Sequence, residues 1–205
     1  MAYQYVNKQE TMLAKVKSRT GKISDKTHEE HLKLYAGYVN KANSILKELE
    51  ELAPVLDPSN SAHANQIYSS VRSLKVELSF ALGGIINHEL YFAILGGTSE
   101  PPQGALGEML IKSFGSVETY FRDLKATALS ARGWVWTGYD SRTGLLFNYL
   151  GDTQNTFPIW GVKPILALDT YEHAYFADFH TARAAYIDEF IAHIDWASVN
   201  EYLVS

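Results

Sequence analysis

Asp169 and His173 set a carboxylate and an imidazole four residues apart in the run Asp-Thr-Tyr-Glu-His. On a helical or tightly turned backbone, residues i and i+4 point the same way, so one oxygen and one nitrogen could converge on a single metal ion. The apolar run Ile-Leu-Ala-Leu at 165–168 reads as a buried strand that would deliver this pair to the interior. Two donors do not complete a site, and the rest must come from elsewhere in the chain. There are seven histidines and no cysteine, so a metal would have to sit on imidazole and carboxylate; disulfides, zinc-thiolate and iron-sulfur sites are excluded.

Other chemistries find little support. His28-Glu-Glu-His31 is one residue too short for the zinc-protease helix, whose imidazoles stand four apart. Paired Glu-x-x-His motifs of a bundled di-iron site are missing, as are a G-x-G-x-x-G turn and a phosphate loop. No serine or threonine stands in a recognisable nucleophile context. A net charge of −5, with no basic stripe, argues against nucleic acid. No stretch approaches the roughly 20 apolar residues that span a bilayer, and the start of the chain does not resemble an export signal. The expectation is a cytoplasmic globular protein without an organic cofactor.

The elements that must position the donors follow from periodicity. Residues 1–22 read as an extended arm. A helix begins at Ser24 or Asp25, carries Leu32, Tyr35, Tyr38, Val39, Ala42, Ile45 and Leu49, and stops at Pro54 and Pro58. Residues 60–95 read as a second helical region through Ile67, Val71, Leu74, Leu78 and Leu82. Gly83-Gly84 suggests a bend or a close backbone approach before a turn bearing His88. Residues 96–104 read as a linker, and Leu106 to Leu124 as one amphipathic helix. Strands are expected at 133–137 and 145–149 around a hairpin turn, and at 161–168; residues 175–194 read as a closing helix. The fold class is thus α+β: an N-terminal helical hairpin domain, 1–95, then a C-terminal mixed α/β domain, 105–205, with a small three-stranded antiparallel sheet.

Three segments carry a resemblance. DTYEHAYFADFHTARAAYIDEFIAHIDW at 169–196 follows the D-x-W-E-H-A-Y-x-x-D-Y pattern of the iron/manganese superoxide dismutase family. FALGGIINHELYF at 80–92 is similar to that family's Asn-His segment, and ISDKTHEEHLKLYAGYVNKAN at 23–43 to its first helix; GWVW at 133–136 looks like its G-W-x-W strand. The resemblance implies that His31, His88, Asp169 and His173 ligate one manganese or iron ion at the interface of the two domains, and that the chain is an antioxidant oxidoreductase dismuting superoxide. It implies that Tyr38 is the phenol gating anion access and that Gln154 meets the metal-bound solvent. Gly84 stands where typical iron enzymes have that glutamine, so the pattern favours manganese. Glu172 would reach the equivalent of His173 in a neighbour, implying a homodimer.

The departures are specific. One residue is missing between the anchors of the first segment, so counting forward gives His31 as the ligand and counting back gives Glu30; a neutral imidazole preserves the site's charge. Tyr171 replaces the family's Trp, and Phe176 with Tyr35 or Leu34 stands where a tyrosine–histidine pair is usual. These departures motivate the alternative of a dismutase-fold metal-binding or interaction protein without dismutase activity.

Overall fold

The structure, a computed structural model, describes residues 3–98, 100–155 and 159–204. Helix α1 (Gln9–Val16) leads into two long helices that pack against each other, α2 (Asp25–Leu52) and α3 (Ser70–Ala93). Each long helix starts on a serine cap: Ser24 Oγ accepts from the Thr27 amide and Ser69 Oγ from the Arg72 amide. A 3₁₀ turn at Ala53–Val55, with proline in it, follows α2. The facing stripes are His28, His31, Leu32, Tyr35, Val39 and Ala42 on α2, and Ala81, Gly84, Ile85, His88 and Tyr91 on α3. Three histidines therefore lie in what is otherwise a largely apolar seam.

Helices α4 (Gly104–Phe114) and α5 (Val117–Ser130) precede strands β1 (Trp134–Asp140), β2 (Leu145–Gly151) and β3 (Val162–Asp169), which form an antiparallel sheet of order β2-β1-β3. Central β1 is buried on both faces, with Trp134 and Trp136 directed into the core. Its register with β3 slips between Thr137 and Gly138, opposite Pro164, a residue that cannot donate to the ladder. Beyond the bulge Trp134 pairs with Asp169, which fixes that carboxylate at the inner end of β3. A 3₁₀ turn (Glu172–Ala174) and helices α6 (Phe176–Phe179), α7 (Arg183–Ala192) and α8 (Trp196–Val204) complete the fold. The class is α+β as expected.

Four elements differ from expectation, each for a local reason. The arm contains α1, which buries Met12 and Val16. Residues 60–69 are turns rather than helix: Asn60 Oδ1 and Asn65 Oδ1 accept from the amides of Ala62 and Ile67, bonds that compete with helical pairing, and Ile67 is 84% exposed. The helix expected across Leu106 to Leu124 breaks in two at Gly115, whose φ is 85°. The closing helix breaks at His180, at φ 49°, so α6 and α7 are separate. Gly83-Gly84, by contrast, leaves α3 continuous.

Candidate metal centre

Four side chains from four places in the chain meet at one point. His31 comes from the first half of α2, His88 from the last turns of α3, Asp169 from the end of β3, and His173 from the 3₁₀ turn that follows. One donor atom of each lies within 4.8 Å of all the others. Asp169 Oδ2 is the hub: His31 Nε2 is 3.0 Å away, His173 Nε2 3.1 Å and His88 Nε2 3.8 Å. His31, His88 and Asp169 are fully buried, and the side chain of His173 is 29% exposed.

The donor set fits a redox metal. Nitrogen and oxygen donors about 2.0–2.2 Å from an ion stand at most about 4.3 Å apart, close to the observed spread. His88 Nδ1 lies 2.6 Å from the Gly84 carbonyl, which can only accept, so His88 Nε2 carries the lone pair. That buried nitrogen has no hydrogen-bond partner among the described residues and stands 3.8 Å from Asp169 Oδ2. Three imidazoles and one carboxylate give net charge −1, which suits divalent and trivalent manganese or iron alike.

Electrostatics keep His88 and His31 neutral and Asp169 charged, while His173 is pulled toward its protonated form. Burial drives the His88 pKa down to about 3, with His31 adding to the effect. Burial also lowers that of His31, outweighing the attraction of Asp169. For Asp169 burial acts in the opposite sense, but the imidazoles of His173 and His31 overcome it and hold the carboxyl well below its usual range. His173 is also desolvated, yet Asp169 outweighs this and raises its pKa.

Around the donors lies a polar network. Gln154, on the loop after β2, is buried; its Oε1 accepts from Trp134 Nε1 at 3.0 Å and from Asn87 Nδ2 at 3.4 Å. Its Nε2 then points at the Tyr38 hydroxyl, 3.4 Å away. Asn87 Oδ1 in turn accepts from Trp136 Nε1 at 3.2 Å. Tyr38 packs on His88, with ring centroids 5.4 Å apart, and covers Gly84, where a Cβ would stand 2.6 Å from the Tyr38 ring. Burial, then the charge of Asp169, raises the pKa of this phenol.

The competing first-helix residue resolves clearly: His31 faces Asp169, whereas Glu30 points outward to Lys26 and Lys33. Tyr35 lies fully buried and donates to Glu89 Oε1 at 3.0 Å, while Leu34 and Phe176 are 42% and 46% exposed. Arg183 donates to the Thr170 carbonyl at 2.7 Å, and so braces the turn bearing the donors. Glu172 is exposed. Sequence reasoning missed Asn87, the Trp134 indole as a donor to Gln154, and Tyr186, whose hydroxyl donates to the Asp169 carbonyl at 2.7 Å. Nothing in their spacing marks them, because their partners are 17 to 67 residues away.

Comparison with known proteins bears on this geometry. A family model described as iron/manganese superoxide dismutases, C-terminal domain, matches residues 102–202. The chain is 38% identical over 182 residues to a superoxide dismutase [Fe] of Aquifex aeolicus (strain VF5), covering 87% of this chain and 83% of that protein. It is 33% identical over 172 residues to superoxide dismutase [Mn] 2 of Haloferax volcanii, covering 82% and 79%. With a superoxide dismutase [Mn] of Mycobacterium lepraemurium it shares 31% identity over 188 residues, covering 89% and 83%.

Proposed function

Because this chain belongs to the iron/manganese superoxide dismutase family, we propose that His31, His88, Asp169 and His173 hold one manganese or iron ion at which superoxide is converted to dioxygen and hydrogen peroxide. The convergence of four donor atoms within 4.8 Å in a largely buried site is the observation that carries this reading. A bound ion supplies one-electron exchange between its divalent and trivalent states. Everything else falls to the protein.

Asp169 would supply the single negative charge and the three imidazoles would bind the ion as neutral donors, His173 giving up its proton on binding, so the site would suit either oxidation state with one ligand set. The Gln154 amide, with its oxygen tied to Trp134 and Asn87, points its NH₂ at the Tyr38 hydroxyl, and would offer a donor to solvent bound on an ion held by the four donors. Tyr38 stays protonated at neutral pH and serves as the phenolic gate for a small anion. Trp134 packs on His88 and Phe92 on His31, so apolar rings wall the donor cluster.

Manganese is the favoured ion. The glutamine that would meet metal-bound solvent comes from the loop after β2 as Gln154, and Gly84 occupies the helical position from which iron enzymes usually supply it; the Tyr38 ring fills the space a side chain at 84 would need. Glu172 is exposed next to the partly exposed His173, which supports a two-fold dimer in which each Glu172 meets the other protomer's His173. We place the division between the two domains at the linker, with residues 1–95 and 105–205 each giving two donors. No helix among the described residues is long and apolar enough to cross a membrane.

The second reading, a metal-holding relative without dismutation, draws on Tyr171 and on the absent histidine–tyrosine pair. Metal analysis combined with superoxide decay separates the two. About one manganese or iron per chain with fast decay that is lost in His88→Ala supports the enzyme; stoichiometric metal without decay supports the alternative.

A further inference from the structure

Tyr171 touches more of the site than a wall residue needs to. Its amide donates to Asp169 Oδ1 at 2.8 Å, and its ring stacks on His173 with centroids 5.4 Å apart and planes 16° from parallel. Its hydroxyl leaves the cluster and donates to the Asp152 carbonyl at 2.8 Å, across a sequence separation of 19 residues. Asp152 stands two residues before Gln154, on the same loop after β2, and its side chain is ion-paired to Arg132. One residue thus bridges the turn that carries Asp169 and His173 to the loop that carries Gln154.

We propose that Tyr171 is a positioning residue that sets the placement of Gln154 beside the four-donor cluster by tethering the Asp152 carbonyl to the donor-bearing turn. The inference rests on the dismutase reading of the site and adds to it a residue-specific device of this chain. A phenol suits this role because its oxygen lies at the far end of a rigid ring, so fixing the ring on His173 fixes the hydroxyl as well. Gln154 is held on the α3 side by Asn87, which donates to both its side-chain and its backbone oxygen, and by Trp134, but these bonds leave the start of the loop at Asp152 to be fixed from elsewhere. The Tyr171 bond ties the loop at Asp152 to the turn that carries Asp169 and His173. Gln154 is then restrained both at its own residue, by Asn87 and Trp134, and two residues upstream, by the donor-bearing turn.

The test is a double-mutant cycle on manganese-loaded protein, read by azide affinity and by the metal-centred visible absorption rather than by turnover. Tyr171→Phe removes the hydroxyl and keeps the stacked ring. The expected result is a change in azide Kd of roughly two- to tenfold, the range for one hydrogen bond, together with a shifted absorption band. In a Gln154→Ala background the same substitution should change neither, because the group being positioned is gone. Two results overturn the proposal: no effect of Tyr171→Phe in the wild-type background, or an equal effect in both backgrounds, which would mean that the phenol acts through His173. A wild-type chain that holds neither manganese nor iron instead overturns the reading beneath it, and the positioning role falls with it.

Discussion

Gly83 lies so close to Gln154 that a Cβ at residue 83 would stand 2.1 Å from the Gln154 carbonyl oxygen. This contact lets the loop after β2 lie flat on α3, where Asn87 Nδ2 donates to the same carbonyl at 3.2 Å. Packing of two backbones, rather than flexibility, accounts for the glycine in the middle of a 24-residue helix. Gly83→Ala is therefore expected to destabilise the protein by about 1–3 kcal/mol, the range for overpacking, and to displace Gln154. Gly37→Ala is the control: nothing lies within 4 Å of a Cβ there, and the substitution should stabilise α2 by about 0.5–1 kcal/mol. Urea unfolding of both variants checks the pair, and equal behaviour would refute the packing argument.

Glu30→Ala should leave metal content unchanged, because the carboxylate faces Lys26 and Lys33 on the surface of α2. His31→Ala should reduce it by at least roughly tenfold, since it removes one of four donors and leaves Asp169 with one imidazole fewer. Metal analysis after dialysis against a chelator distinguishes them.

His28, outside the four-donor set, gives the protein an acid sensitivity of its own. The Thr20 hydroxyl donates to the Ile23 carbonyl and so accepts from His28 Nε2 at 2.7 Å; Nδ1 is then an unprotonated, buried nitrogen without a partner among the described residues. Burial, with His31 next, lowers its pKa to about 4. The folded value lies below the unfolded one, near 6.5, so the unfolded chain binds the extra proton first. Stability is complete above about pH 6.5 and is lost as pH falls toward 4, by on the order of 3 kcal/mol from this group. His28→Gln keeps a donor for Thr20 without the titration. Its unfolding midpoint should fall less steeply between about pH 7 and 4.5 than that of the wild type, and parallel curves would contradict the assignment.

Arg183→Met should lower stability by about 1.5–3 kcal/mol and speed metal loss, because the guanidinium braces the Thr170 carbonyl beside Asp169. If the arginine served instead to attract anions, the variant would keep its stability and lose the salt dependence of its rate. Thermal unfolding and an ionic-strength series, run together, decide between these roles.

Those contrasts mark where the sequence could be read and where it could not. The i,i+4 spacing of Asp169 and His173, the α2 stripe and the three strands were legible because each depends on local periodicity. The choice of His31 over Glu30 was legible only through charge and helix face, and the position of Asp169 across the seam agrees with it. Gln154 lies in a polar run that reads as solvated loop, yet Gly83 and Asn87 draw it into the interior. Residues 60–69 carried an apolar spacing compatible with helix, but asparagine side chains captured the backbone amides first. The breaks at Gly115 and His180 depend on left-handed backbone, which histidine seldom adopts and periodicity does not register.

The central claim is that four distant side chains hold one redox ion that dismutes superoxide. Its most direct test is superoxide decay followed by stopped flow on protein of measured metal content, wild type against His88→Ala. The account predicts about one manganese or iron per wild-type chain, rapid decay in proportion to that metal, and loss of both in the variant. Unchanged metal content in His88→Ala, or full metal in the wild type with decay no faster than the spontaneous rate, would contradict it.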